Sequence, residues 1–341
     1  MRLMIVGSDK VYAIENYYRN HLMEQGVEIS LFTAQSYFYD YYQKSVIHKL
    51  LYRASLSGII PKINKMFRER VEEFNPDIIW IFKGMEIVPE SLVWAQDRNI
   101  KLVNYNPDNP FIFSGRGSGN PNVTNSISLY DLHFTYNLDV KEKLEHEYQA
   151  KTAYLPFGYE LSDSVYELCT DQPEILKLCF LGNPDTDRAA FIEAMAQAGI
   201  PVDVYGNDWK QFVKNSAITI SGPVYGEEFW KILRRYRIQL NLMRPHNEHS
   251  HNMRSFEVPA VGGIMLAPDT PDHRNHFENG KEVFLFSGID DAIGKAKAIL
   301  NMPAADADEI RTNARNRSVE FGYSYRKRSH LALQEMRKIV F

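Results

Sequence analysis

The sequence predicts an α/β chain made of two successive doubly wound parallel sheets. Short apolar runs alternate with helix-like segments, which is the β-α-β rhythm of a parallel sheet. That rhythm breaks over residues 158–173, which lack clear periodicity and read as a linker, and then restarts. Several strand-like runs end in Gly, Asn or Pro, as at Gly7, Asn106, Pro156, Gly182 and Gly206, and such sheets bind ligands beyond the carboxyl ends of their strands. At 341 residues the chain has length for two domains of ordinary size.

In the first half, residues 3–6 are an apolar run ending in Gly7-Ser8, followed by a helical stretch over 11–25. Gly26 stops that helix, and 27–32 reads as the second strand. Residues 47–74 read as a long helical region interrupted near Gly58 and Pro61. Residues 77–82 read as a strand, continuously apolar after Asp77, as expected where both faces are covered. A helix over 89–99, strands over 101–105 and 131–136, a helix over 139–148 and a short strand over 152–155 complete the half. In the second half, a strand over 176–181 opens into Gly182-Asn183-Pro184-Asp185, and a helix over 189–198 is stopped by Gly199. A strand over 202–205 leads into Gly206-Asn207-Asp208, and 218–220 is short and extended. A helix over 227–236 and a strand over 238–243 precede a short helix, a glycine pair and an apolar strand over 255–267, then a helix over 290–300. The expected fold is two Rossmann-like domains facing a central cleft, the first over 1–160 and the second over 174–322.

Composition narrows the function classes. Hydrophobic residues make up 44% and charged residues 24%, as in ordinary globular proteins. A net charge of −4 gives no electrostatic reason to expect nucleic acid as the partner. Cys169 and Cys179 do not make a disulfide framework, so a reducing cytoplasm is expected. The apolar run at the N-terminus is too short for a signal peptide, and no window approaches a membrane span. Tyr37, Phe38, Tyr39, Tyr41 and Tyr42 cluster; they suit an acceptor cleft, a membrane surface or a partly buried helix face.

Candidate site residues lie at the strand ends. Glu257 sits on the short helix, where Pro259 suits the first turn. Its carboxylate can accept hydrogen bonds from a ribose diol, or simply complement the helix dipole. Gly262-Gly263 would let a phosphate approach free N–H groups, or would only make a tight turn. Arg254, three residues before Glu257, would clamp a diphosphate or pair with that carboxylate. His251-Asn252 precede it and can donate to phosphate or sugar oxygens. Gly182-Asn183-Pro184 between strand and helix makes an anion seat, with Arg188 near the first turn. Tyr205-Gly206-Asn207 ends a strand on the same side, or is an ordinary turn. Neither GxGxxG nor GxxxxGK[ST] is present there. In the first half, Asp108 within Asn106-Pro107-Asp108-Asn109-Pro110 is a candidate general base, unless the stretch is only a Pro/Asx turn. A glycine-rich loop over 114–119 carries Arg116, which would meet a phosphate on closure. His246, His249 and His251 have metal-like spacing, but a polar loop beside a phosphate accounts for them with less, so no metal is assigned.

The run Arg254-Ser255-Phe256-Glu257-Val258-Pro259-Ala260-Val261-Gly262-Gly263 has the form R-x-F-E-x-P-A-x-G-G. On it the chain resembles the group 1 glycosyltransferases of the GT-B fold, and more narrowly their CgeB-like branch. The likeness continues through Gly222-Pro223-Val224, Asn241-Leu242 and Asn279-Gly280-Lys281-Glu282, and residues 106–110 resemble the family's Asp-Asn/Asp-Pro loop. The tail over 323–341 is similar to the C-terminal helix that crosses back onto the first domain in this fold. The resemblance implies that Glu257 binds the nucleotide ribose while Arg254 and Gly262-Gly263 face the diphosphate. In one respect the chain departs from it. Many group 1 enzymes carry a second glutamate eight positions earlier, where this chain has His249 beside Glu248. Retention versus inversion therefore stays open.

The activity so implied is metal-independent transfer of a hexose from a UDP- or GDP-sugar to a hydroxyl of a glycan, lipid-linked or other glycoconjugate acceptor. No resident cofactor is expected. The second domain would hold the donor and the first the acceptor. Rivals are a nucleotide-sugar epimerase and a non-catalytic sugar-nucleotide or glycan-binding protein. The expected location is cytoplasmic. Peripheral contact with the inner membrane face is compatible with Arg326-Lys327-Arg328, a cluster that equally suits a solvated helix face.

Overall fold

The computed structural model of the chain describes residues 1–112, 120–244, 247 and 249–340. In the first half the apolar runs become a parallel sheet with helical crossovers. The order is β1 (Arg2–Val6), α1 (Ile14–Glu24), β2 (Glu28–Phe32), α2 (Ala34–Gln43), α3 (Val46–Arg53), α4 (Ile59–Phe74) and β3 (Ile78–Phe82). Then come α5 (Pro89–Gln96), β4 (Lys101–Tyr105), α6 (Pro121–Asn125), β5 (Leu132–Thr135), α7 (Leu138–Tyr148) and β6 (Thr152–Tyr154). The second half runs α8 (Asp163–Thr170), β7 (Ile175–Leu181), α9 (Thr186–Gln197), β8 (Val202–Tyr205), β9 (Ile218–Ser221), α10 (Gly226–Arg235) and β10 (Tyr236–Leu240). It continues with α11 (Arg254–Ala260), β11 (Met265–Pro268), α12 (Pro271–His276), β12 (Phe284–Phe286), α13 (Ile289–Leu300), α14 (Ala304–Glu320) and α15 (Tyr325–Val340).

The chain divides into two units, one of Met1–Pro156 with Tyr325–Phe341 and one of Phe157–Ser324. The first unit's sheet has strand order β2-β1-β3-β4-β5-β6, and every pair is parallel. All five residues of β3 are buried, since helices cover both faces of the sheet. The chain moves outward from β1 to β2 and returns to β3 on the other side of β1. That reversal is a topological switch point, where open α/β sheets bind ligands. The second unit's sheet is also parallel, in the order β12-β11-β10-β7-β8-β9, and its switch point lies between β7 and β10.

Helix α15 belongs to the first unit, where it packs along α1. The Tyr325 ring lies tilted at 5.0 Å from Tyr17 and edge-on at 5.5 Å from Tyr18, and Gln25 Nε2 donates to Ser329 Oγ at 2.8 Å. The basic cluster at its start is not one surface patch. Arg326 pairs with Glu24 at 2.9 Å, Lys327 is exposed, and Arg328 is buried, its charge acting on Tyr18 and Tyr105.

Several elements differ from expectation for identifiable reasons. The supposed linker holds α8, capped by Ser162, whose Oγ accepts from Val165 N at 3.3 Å. Only Cys169 of that helix is buried, so no apolar period marks it. Pro61 does not interrupt α4: it is the third residue, within the first turn, where its missing N–H has no helical partner to lose. Helix α14 buries Ala307, Ile310, Arg311, Ala314 and Ser318 at helical spacing, but the stripe is mostly small or polar and reads as no pattern. Helix α10 stops at Arg235 because Tyr236 already opens β10, its hydroxyl donating to Asp203 Oδ2 at 2.6 Å. Pro259 is the sixth residue of α11 rather than in its first turn. That helix starts earlier because Asn252 Oδ1 accepts from Ser255 N, while Ser255 Oγ accepts from Asn252 N, both at 3.2 Å. The aromatic cluster lies on α2, with Phe38 and Tyr41 against the core and Tyr37 and Tyr39 exposed.

Candidate active site

In the second unit, parallel pairing lines up the strand ends, and the turns beyond them meet at the switch point. Gly182 N donates to Tyr205 O at 2.9 Å, and Asn207 N donates to Asn183 Oδ1 at 3.1 Å, tying the end of β8 to that of β7. Gly206 has to be glycine, since a Cβ there would lie 2.3 Å from the Gly182 carbonyl oxygen. Arg188 reaches across the switch point: its Nη2 donates to Leu242 O at 2.9 Å and its Nη1 to Asn183 O at 3.2 Å. Burial lowers the Arg188 pKa, and the Arg244 charge adds to the effect against the nearby Asp185. The Arg188 guanidinium thus lies at this strand end, with the charge of Arg244 near enough to act on it. The N-terminus of α9 is less open than expected, because Asp185 Oδ1 already accepts from Arg188 N at 3.0 Å as its cap.

Helix α11 begins beside the same edge. Asn252 Nδ2 donates to Asn241 Oδ1 at 2.7 Å, fixing the helix start to the residue just after β10. Arg254 and Glu257 form an ion pair, with Arg254 Nη1 on Glu257 Oε2 and the guanidinium 4.3 Å over the Phe229 ring. Glu257 is buried, and burial raises its pKa against the lowering influence of Arg254. Ser255 Oγ bridges Asn241 Nδ2 at 3.1 Å and His273 Nε2 at 2.8 Å. His273 Nδ1 lies 2.7 Å from Pro268 O, so Nδ1–H donates there and Nε2 accepts from Ser255. Burial pushes the His273 pKa down to about 4, which keeps this imidazole neutral.

Four sequence-predicted residues have other tasks. Gly262 N donates to Pro259 O at 2.9 Å and Gly263 N to Val258 O at 2.8 Å. With Gly262 at φ +73°, this is a Schellman cap at the far end of α11. The pair is buried, and its N–H groups are consumed by the helix rather than offered to a phosphate. His251 is fully buried: its Nδ1 lies 2.9 Å from Asp272 Oδ2, and its Nε2 accepts from Phe157 N at 3.3 Å. Burial opposes ionisation of Asp272, yet hydrogen bonds from His251 and Ser250 outweigh it and hold the carboxyl below its ordinary range. His251 therefore ties a loop to α12 instead of presenting a donor. The Tyr205 hydroxyl likewise sits 2.9 Å from that of Tyr236, in a chain that ends on Asp203 and Lys177. Arg116 and the rest of the 114–119 loop, with His246 and Glu248, lie outside the described residues. Among the described residues no group of three His, Cys, Asp or Glu could hold a metal ion, and no helix is long and apolar enough to cross a membrane.

In the first unit the switch point carries charge that sequence reasoning missed. Lys83 follows β3 in a left-handed conformation, φ +61°, with its N–H donating to Tyr105 O at 3.0 Å. Its ammonium lies 2.6 Å from Asp108 Oδ2, both side chains part-exposed. Asp108 N donates to Asn106 Oδ1 at 3.1 Å, so the Asx turn and the ion pair coexist. Two buried carboxyls complete the cluster. Glu15 Oε1 accepts from Ser8 N at 3.1 Å, and a Cβ on Gly7 would lie 2.6 Å from that oxygen. Burial raises the Glu15 pKa; it pushes that of Glu86 up to about 7, with Glu15 reinforcing and Lys83 opposing. For Glu15, Lys83 and Glu86 the signal available in sequence was position alone, since they follow strands β1 and β3, whereas Asp108, after β4, was already a candidate.

A family model described as glycosyl transferase-like matches residues 188–334, under half of the chain but including α11. No curated protein sequence matches. Among solved structures, sucrose-phosphate synthase from Thermosynechococcus elongatus is similar over 99% of this chain and 99% of its own, at 12% identity and a TM-score of 0.70. The Anabaena protein HepE, in complex with UDP and glucose, is similar over 99% of this chain and 100% of its own, at 12% identity and a TM-score of 0.66. The chain has the GT-B fold. A putative UDP-N-acetylglucosamine 2-epimerase from Listeria monocytogenes shares that GT-B architecture over 97% of this chain and 94% of its own, at 14% identity and a TM-score of 0.58. Identities this low speak for the fold and leave the chemistry to the site.

Proposed function

We propose that this GT-B chain is a nucleotide-sugar glycosyltransferase, of the CgeB-like branch of group 1, that moves a hexose from a UDP- or GDP-sugar to an acceptor hydroxyl. The acceptor would be a glycan, a lipid-linked sugar or another glycoconjugate, as in surface-polysaccharide assembly. The observation that carries the reading is Glu257. It is a buried carboxylate at the carboxyl edge of the second sheet, inside the segment that matches the glycosyl transferase-like family. Arg254 engages only its Oε2, and a carboxylate has capacity for further donors. In this reading the ribose diol takes Oε1. HepE, crystallised with UDP and glucose, supports a uridine donor by analogy of fold.

The second unit would hold the nucleotide, and the first unit the acceptor. Arg254, Arg188 and Arg244 would stabilise the leaving diphosphate, in the role a metal ion plays elsewhere, so no metal and no resident cofactor enters the scheme. Asn183, Asn207 and Asn252 offer polar contacts at the same edge. Asp108, steadied by Lys83, would take the proton of the acceptor hydroxyl. An epimerase is the second reading, favoured by the Listeria protein of the same fold.

Donor turnover separates these. UDP- and GDP-sugars incubated with candidate acceptors should release nucleoside diphosphate only when a glycosylated product forms. An epimerised donor appearing without acceptor would favour the second reading, and binding without any turnover would favour a non-catalytic binding protein. Asp108→Asn is expected to lower kcat by about 100-fold, the low end of general-base effects. Full turnover with an unchanged pH profile in that variant removes Asp108 from the mechanism.

A further inference from the structure

Helix α3 has no buried residue, although half of its side chains are large and apolar. Val46 is 71% exposed, Ile47 67%, Leu50 58% and Leu51 37%, and Leu56 just beyond the helix is 75% exposed. The four helical residues fall at i, i+1, i+4 and i+5, which is one continuous face. The opposite face is anchored: Tyr52 packs against Phe38 at 4.8 Å and Tyr42 at 5.8 Å, and His48 against Tyr41 at 4.7 Å. The apolar face is therefore held outward by a fixed helix.

Charge around it is mainly basic, with Asp40 near the end of α2 as the acidic exception. From Tyr41 to Arg68 the sequence contains Lys44, Lys49, Arg53, Lys62, Lys65 and Arg68 and no acidic residue, in a chain whose net charge is −4. None of Lys44, Lys49, Arg53 and Lys62 makes an ion pair among the described residues; Lys49 lies 5.5 Å over the Tyr42 ring. Between α2, α3 and α4 lies an open pocket of ≈ 640 Å³, lined by Lys44, His48 and Lys62, by the single carboxylate of Asp40, and by the buried Ile59 and Ile63. It has room for a phosphate-bearing headgroup.

We propose that the α3 face of the first unit docks on an anionic lipid bilayer, with Val46, Ile47 and Leu50 entering the interface and Lys44, Lys49, Arg53 and Lys62 meeting lipid phosphates. An outward apolar ridge with basic flanks is the pattern of an interfacial helix. A second copy of the chain is a poorer occupant, because joining two such faces brings like charges together. The surface replaces the tail cluster as the membrane contact, since Arg328 is buried and Arg326 is paired. The inference stands apart from the reaction proposed above, and lipid binding is read without substrate.

Co-sedimentation of the full chain with vesicles tests it. Phosphatidylcholine vesicles containing phosphatidylglycerol should pellet the protein, pure phosphatidylcholine should not, and added salt should release it. Ile47→Asp with Leu50→Asp, and separately Lys44→Gln with Lys49→Gln and Arg53→Gln, should each weaken binding at least tenfold, with melting temperatures unchanged because none of these side chains is buried. A parent that stays in the supernatant with anionic vesicles overturns the proposal, as do variants that bind like the parent. So does sedimentation equilibrium showing a dimer that the Ile47→Asp, Leu50→Asp variant dissolves, which would mean that a second copy covers the face.

Discussion

Glu257 and Glu86 are both buried carboxyls, and their surroundings give them different chemistry. Glu257 has a guanidinium directly on it, so its charge is matched on site. Glu86 feels Lys83 only at a distance and is pushed up to about 7, chiefly by burial. Unfolding would return Glu86 to its ordinary 4.5. Between these values the unfolded chain has released the proton while the folded chain still holds it. Stability from this group is therefore complete below about 4.5, declines as pH rises, and is gone above about 7. At ~1.4 kcal/mol per unit the loss is on the order of 3 kcal/mol. Glu86→Gln should melt at a higher temperature than the parent at pH 8 and close to it at pH 5; equal melting at both would mean that Glu86 is ionised in the fold. Glu257 was legible because it sits in a recognisable run of residues. Lys83 and Glu86 were not, because a left-handed backbone fixed by the Tyr105 carbonyl and burial between elements distant in sequence leave no local pattern.

At the level of elements, α11 shows why a glycine pair has two readings in sequence. Gly262-Gly263 offers N–H groups to a phosphate only if the preceding helix does not claim them, and here a Schellman cap claims both. Gly263 is further constrained by packing: a Cβ would lie 2.7 Å from Leu233 O and 2.8 Å from Val258 Cγ1. Gly263→Ala should destabilise the second unit by about 1–3 kcal/mol through overpacking. Denaturant titration checks it, and an unchanged midpoint would mean that the turn relaxes freely. The strand–helix alternation was readable because parallel strands buried on both faces are continuously apolar, as in β3. Helices α8 and α14 were not, because one buries a single cysteine and the other buries alanine, serine and arginine beside one isoleucine. The arginine is Arg311, whose guanidinium lies 2.7 Å from Glu174 and also 2.7 Å from Arg234 O, a bridge only the folded chain assembles.

In both sheets the strand order reverses once, and charged side chains lie near each reversal: Glu15, Lys83, Glu86 and Asp108 in the first unit, and Arg188 within reach of the Arg244 charge in the second. The two sheets were foreseeable from the alternation. The gathering was not, because strand order, unlike strand position, leaves no mark in sequence. The last helix returns to the first unit and covers Tyr18, so a chain ending at Ser324 should expose apolar surface there. Its melting temperature is expected to fall by ~5 °C or more, on the scale of a few kcal/mol; an unchanged melt would mean that α15 is dispensable. The central claim concerns the second unit. Calorimetric titration with UDP and GDP, with and without Mg²⁺, beside Glu257→Ala, tests it most directly. Binding of one nucleotide that needs no Mg²⁺ and weakens at least tenfold in the variant is the expected result. Equal affinity in parent and variant would contradict the ribose role of Glu257, and no binding of either nucleotide would contradict the glycosyltransferase reading itself.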